Sequence, residues 1–144
     1  MHIDLSKRHA IVTGSTAGIG LAIARGLAAA GAQVVVTGRT QARVDEAIAG
    51  IAGQVRGARL SGVAGDLGTR EGAEKLVAAV PQTDILVNNL GIFEPKAFFD
   101  IPDEDWLHFF EVNVMSGVRL ARHYAQGMAQ RGWGRVQFVS SESA

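Results

Sequence analysis

Apolar residues along this chain come in two rhythms. Short aliphatic runs alternate with longer, Ala-rich stretches in which apolar positions recur every three or four residues. The runs are Ala10-Ile11-Val12-Thr13, Val34-Val35-Val36-Thr37, a weaker one over residues 60–64, Asp84-Ile85-Leu86-Val87-Asn88 and Arg135-Val136-Gln137-Phe138-Val139. Three consecutive valines in the second run leave no polar face, as in a strand of a parallel sheet covered on both sides. Between the runs, residues 19–30 set Ile19, Ile23 and Leu27 on one helical face, with Gly31 placed to end the helix. Residues 40–51 carry a stripe of Val44, Ala47, Ile48 and Ile51. Thr69 reads as the N-cap of a helix to Val80, stopped by Pro81. A Gly/Phe/Pro loop over residues 91–102 leads to Asp103, Glu104 and Asp105, acids suited to a helix start. The long helix that follows is expected to run to about residue 131, ended by Gly132 and Gly134.

Strand–helix alternation of this kind predicts right-handed βαβ crossovers and a parallel sheet with helices on both faces. No repeat or interdomain linker breaks the pattern, so residues 1–144 read as one domain or a piece of one. Fourteen basic and fourteen acidic residues leave no net charge to neutralise a phosphate backbone, which argues against nucleic acid as partner. Without cysteine there are no disulfides and no thiolate metal site. His2, His9, His108 and His123 show no ligand spacing, so no metal is expected. No apolar run approaches the roughly 18 residues that span a bilayer, and no signal core opens the chain; a cytoplasmic protein away from the membrane is expected.

Glycine changes the picture. There are 18 in 144 residues, well above the usual ~7%, with only three prolines. The first strand feeds into Thr13-Gly14-Ser15-Thr16-Ala17-Gly18-Ile19-Gly20. Gly14 can turn the chain sharply, Gly18 clears the place of a pyrophosphate, and Gly20 lets the helix pack closely. The helix start then offers unpaired N–H groups to phosphates.

The spacing T-G-x-x-x-G-I-G resembles the short-chain dehydrogenase/reductase family, in its classical rather than its extended branch. Other motifs follow in order from Lys7 to Ala144. Asp66-Leu67 is similar to the family's adenine-contacting position after the third strand. Asn88-Asn89-Leu90-Gly91 is similar to Asn-Asn-Ala-Gly after the fourth, with Leu90 in place of alanine. Asn113 matches the asparagine of the long helix, and Ser141 matches the catalytic serine. The resemblance implies a Rossmann-like, doubly wound parallel sheet in the order 3-2-1-4-5, with further strands beside the fifth missing from these residues. It implies a cofactor site at Gly14, Ser15, Thr16, Gly18, Ile19, Gly20, Arg39, Asp66, Leu67, Asn89, Leu90 and Gly91.

An NAD site would carry a carboxylate about 20 residues past the first glycine. Here Val36-Thr37-Gly38-Arg39 has none before Asp45. Arg39 suits an additional phosphate, so NADP is expected over NAD.

The resemblance further implies hydride transfer between nicotinamide and a small carbonyl or alcohol. A tyrosine serves as acid–base, a lysine tunes it, and Asn113 and Ser141 act beside them. The tyrosine and lysine of the family's Y-x-x-x-K are absent. The single tyrosine, Tyr124, is followed four residues on by Met128, and no lysine lies beyond Lys96. Tyr124 therefore reads as a packing or interface residue, and the 144 residues as an inactive N-terminal part. Phe93, Phe98, Phe99, Trp106, Phe109 and Phe110 read as a core cluster around the start of the long helix. The family often uses this helix for subunit contact, so a homo-oligomer is expected. An unpaired fifth strand is expected to be an association hazard. The competing expectation is a non-catalytic dinucleotide-binding or oligomerisation module.

Overall fold

The computed structural model describes residues 3–141. Five parallel strands form one sheet in the order β3-β2-β1-β4-β5: β1 His9–Val12, β2 Gln33–Gly38, β3 Arg59–Ala64, β4 Ile85–Asn88 and β5 Arg135–Phe138. Register runs in step across the sheet: Val12 stands opposite Val36 on one side and Val87 on the other, and Asn88 opposite Phe138. Alternate residues of the central strands feed two separate cores. Ala10, Val12, Val34, Val36, Ile85 and Val87 pack beneath α1 (Gly18–Ala29) and α2 (Gln41–Gln54). Ile11, Val35 and Leu86 point the other way, toward α3 (Arg70–Ala79) and α5 (Ser116–Gln130). The consecutive apolar runs thus serve two faces at once.

Caps bear out several expected boundaries. Thr69 accepts from the Gly72 N–H at 3.1 Å, and Thr40 from Arg43 at 3.4 Å. Both α1 and α5 end in a left-handed glycine, Gly31 and Gly132, with Ala32 and Trp133 donating back to Leu27 and Met128.

Three expectations change. The buried face of α1 is Gly20, Ala24 and Ala28, while Ile23 and Leu27 flank it and Ile19 is 65% exposed. The helix lies so close to the sheet that only small residues fit beneath it. The long helix is not continuous: α4 (Asp103–Phe110) passes into a π-helical turn, Glu111–Met115, before α5 begins. The aromatic cluster is not core. Phe93, Phe98, Phe99, Trp106 and Phe110 are all exposed, Phe99 at 95%. They precede or occupy the short α4, none of whose residues is buried.

Tyr124 is a packing residue, as expected. It lies in the second core and donates to the Val80 carbonyl at 2.7 Å. At the opposite end of the sheet from the glycine loop, the Trp133 indole packs against the first core with Arg8 and Arg135 guanidiniums 3.6 and 4.9 Å from its ring centre. All four residues of β5 are exposed, and no helix among the described residues is long and apolar enough to cross a membrane.

Candidate functional site

The strand order reverses between β1 and β4, and a parallel sheet opens a crevice at the carboxyl ends of such a pair. The glycine loop and the segment after β4 meet there. Gly14 and Gly18 have φ of 62° and 55°, a region that side chains penalise, so the turn needs glycine at both. Gly20 is needed for space: a Cβ on it would overlap the Gly14 carbonyl oxygen and lie 2.5 Å from Asn89 Nδ2.

Two threonines and one asparagine lock this turn. Thr13 Oγ1 accepts from the backbone N–H groups of Asn89 and Leu90, both at 2.9 Å. Asn89 Nδ2 donates to the Thr13 and Gly14 carbonyls at 3.1 and 3.2 Å. Thr37 Oγ1 accepts from the Gly14 N–H at 3.1 Å and donates to the Val12 carbonyl at 3.2 Å. Each of these bonds joins segments far apart in sequence, so the loop is fastened to the sheet from outside.

Ser15 is fully buried. Its hydroxyl donates to the Val12 carbonyl at 2.7 Å and accepts from the Thr37 N–H at 2.9 Å, which leaves its side chain holding the turn from inside. Thr16 is half-buried against Gly38, whereas Gly18 and Ile19 are exposed, and nothing lies within 4 Å of where a Gly18 Cβ would be. Ala17, at the N-cap of α1, makes no side-chain cap bond, and the first turn holds no acid. The open N–H groups at this helix start therefore fit an anion such as a diphosphate.

The crevice continues along the chain after β4. A Cβ on Gly14 would stand 3.3 Å from Leu90 Cα, and one on Gly91 3.1 Å from Asn113 Oδ1. Asn113 lies in the π-helical turn, a distortion often found at functional sites. Its amide pairs reciprocally with Ile92, accepting from the N–H at 2.7 Å and donating to the carbonyl at 3.1 Å. Ser116 Oγ, at the first residue of α5, donates back to the Val112 carbonyl of this turn at 2.6 Å. Gly14, Gly20, Asn89, Leu90, Gly91 and Asn113 thus form one continuous wall.

The remaining residues stand apart. Arg39 is exposed just past β2 and makes no hydrogen bond or ion pair among the described residues. Asp66, past β3, turns its carboxylate onto the Gly68 N–H at 2.9 Å, and the Leu67 side chain is buried in the second core. Ser141 is exposed beyond β5.

Sequence reasoning missed Thr13 and Thr37, because threonine ending a β-branched run reads as ordinary strand. It also missed Asn88 as a polar anomaly. That side chain is 7% exposed, and neither amide atom finds a partner among the described residues.

Comparison with known proteins agrees with this geometry. The chain is 52% identical over 144 residues to the uncharacterized oxidoreductase YvaG of Bacillus subtilis (strain 168), covering 100% of this chain and 54% of that protein. The L-sorbose reductase of Gluconobacter frateurii, solved with NADPH and L-sorbose, superposes with a TM-score of 0.90 at 37% identity, over 99% of this chain and 55% of its own. A 7 alpha-hydroxysteroid dehydrogenase solved with NADH and 7-oxo glycochenodeoxycholic acid gives a TM-score of 0.87 at 32% identity, over 99% and 56%. The chain spans about half the length of the relatives it matches. The family model of the short chain dehydrogenases matches residues 8–144, and with the sheet order and glycine turn described above the chain belongs to that family.

Proposed function

We propose that this chain is the cofactor-binding part of an NADP-dependent oxidoreductase that moves a hydride between nicotinamide and a small carbonyl or alcohol. The observation that carries this reading is the glycine turn, pinned by Thr13, Thr37 and Asn89 and opening onto the uncapped start of α1. Backbone N–H groups of the loop and of Ile19 would hold the diphosphate, with Gly18 leaving room for it. Asp66 and the backbone of Leu67 would flank the adenine, and the 89–91 segment the rest of the dinucleotide. The nicotinamide, when bound, supplies the hydride.

Of this chain's own residues, Arg39 has a free guanidinium for a 2′-phosphate, and no carboxylate stands between it and β2 to repel one. Asn113 would fix the wall beside the nicotinamide through Ile92, and Ser141 would hydrogen-bond the substrate oxygen. Tyr124, the single tyrosine of these residues, is buried in the core and would not serve as the family's acid–base. The 144 residues alone are therefore expected to bind NADPH and not to turn it over. Self-association would run through the long α4–α5 helix, and the setting is the cytoplasm.

Titration of NADPH, followed by its fluorescence, tests the reading. Saturable binding is expected, and Arg39→Asp should weaken NADPH by about ten- to a hundredfold while changing NADH much less. Equal effects on both would remove Arg39 from the site. The exposed apolar residues of α4 and β5 favour a second reading, a non-catalytic module built for assembly. A stable oligomer without saturable nucleotide binding would select it.

A further inference from the structure

Glycine at position 38 is there for room and not for backbone freedom. It ends β2, pairs with Ala64 of β3 and is not among the glycines of positive φ. A Cβ built on it would overlap Cγ2 of Thr16 and lie 3.3 Å from Cγ2 of Val44. Val44, on the inner face of α2, is fully buried in the first core and has nowhere to retreat. Thr16 is branched at Cβ, so few rotamers are open to it, and only the one that turns its hydrogen toward position 38 clears the space. Any side chain on residue 38 has to displace the glycine loop's own threonine.

These two residues come from different parts of the site. Thr16 belongs to the turn that faces the diphosphate, and position 38 is the tip of the strand where a ribose-binding carboxylate would stand. Their contact links the two choices. We propose that Thr16 is a specificity-determining residue: its methyl group fills the space a side chain at position 38 needs, keeps the tip of β2 free of a carboxylate, and leaves Arg39 as the first charged group beside it. The inference rests on the dinucleotide reading above. It adds that the preference for a 2′-phosphate is written in the loop as well as in the arginine. Changing residue 38 alone is then an incomplete switch.

A four-protein cycle tests this: the unaltered chain, Thr16→Ala, Gly38→Asp and the double variant. Melting temperature without nucleotide is read alongside dissociation constants for NADPH and NADH. Gly38→Asp alone should lower the melting temperature by about 3–6 °C and weaken both nucleotides. Adding Thr16→Ala should restore most of that loss and shift the NADH-to-NADPH preference by at least about tenfold toward NADH. If Gly38→Asp does not fold, Gly38→Ala reads the same packing with a smaller side chain, and its melting loss should likewise shrink beside Thr16→Ala. Additive melting losses, or a Gly38→Asp chain that is stable and already prefers NADH, would overturn the proposal while leaving NADPH binding by the unaltered chain intact. No saturable binding of either nucleotide to the unaltered chain would instead sink the cradle reading, and this inference with it.

Discussion

A single phenol shows how burial can settle what a residue type leaves open. Tyr124 sits in the second core with its hydroxyl on the Val80 carbonyl, and burial pushes its pKa up to about 12. The unfolded chain loses that proton near pH 10. The native state therefore binds more protons than the unfolded one over roughly pH 10–12, and its stability falls as pH rises through that window. Tyr124→Phe should abolish this slope in urea melts and cost about 1 kcal/mol at neutral pH for the lost hydrogen bond. An unchanged slope would mean that other groups set alkaline stability. The same contrast separates the site residues. Gly14, Gly18 and Gly20 were legible from spacing because nothing but glycine meets their demands. The hydroxyls of Thr13, Thr37 and Ser15 were not, since a threonine or serine beside a strand has the same spelling whether it faces solvent or fastens a turn.

Among elements, the π-helical turn was the least legible. An extra residue in one turn changes no composition and shifts the apolar period by less than the scatter of an ordinary helix. Only its consequences are specific: Asn113 comes to bear on Ile92, and Ser116 bonds back to Val112. Asn113→Ala should therefore free the segment after Gly91. Hydrogen exchange at the Ile92 amide is expected to speed up about tenfold or more, with little change at β1 and β2. Uniform acceleration across the sheet would assign Asn113 to global stability instead. Helix α1 teaches a related lesson. Its large residues suggested the buried face, but the tight approach to Gly14 selected the small ones, and a contact distance is not written in periodicity.

At the scale of the whole molecule, the alternation of elements was enough to give the sheet and, with the family resemblance, its order. Solvent exposure was not legible for the aromatics, because hydrophobicity alone does not say whether another surface exists to cover them. The outer edge of β5 raises the same question. Arg135 and Val139 donate inward to Asp84 and Asn88, so by alternation the amides of Val136 and Phe138 point away from the sheet. Val136→Pro removes one outward donor and no ladder bond. It should reduce concentration-dependent association in sedimentation velocity while keeping the far-ultraviolet spectrum. Association that persists unchanged would show that the strand edge adds nothing to the contact through α4–α5.

The pairing of Trp133 with two arginines has a mechanical consequence. Arg8 precedes the central strand β1 and Arg135 opens β5, so one indole rivets the approach to β1 to the near end of β5. At the far end, among the described residues, no cation covers the Phe138 ring, which lies against Gly117 of α5 and is half exposed. Thermal fraying should then run like a zip from Phe138 back toward the rivet, opening first the end beside Asn88, where the chain heads toward Ser141.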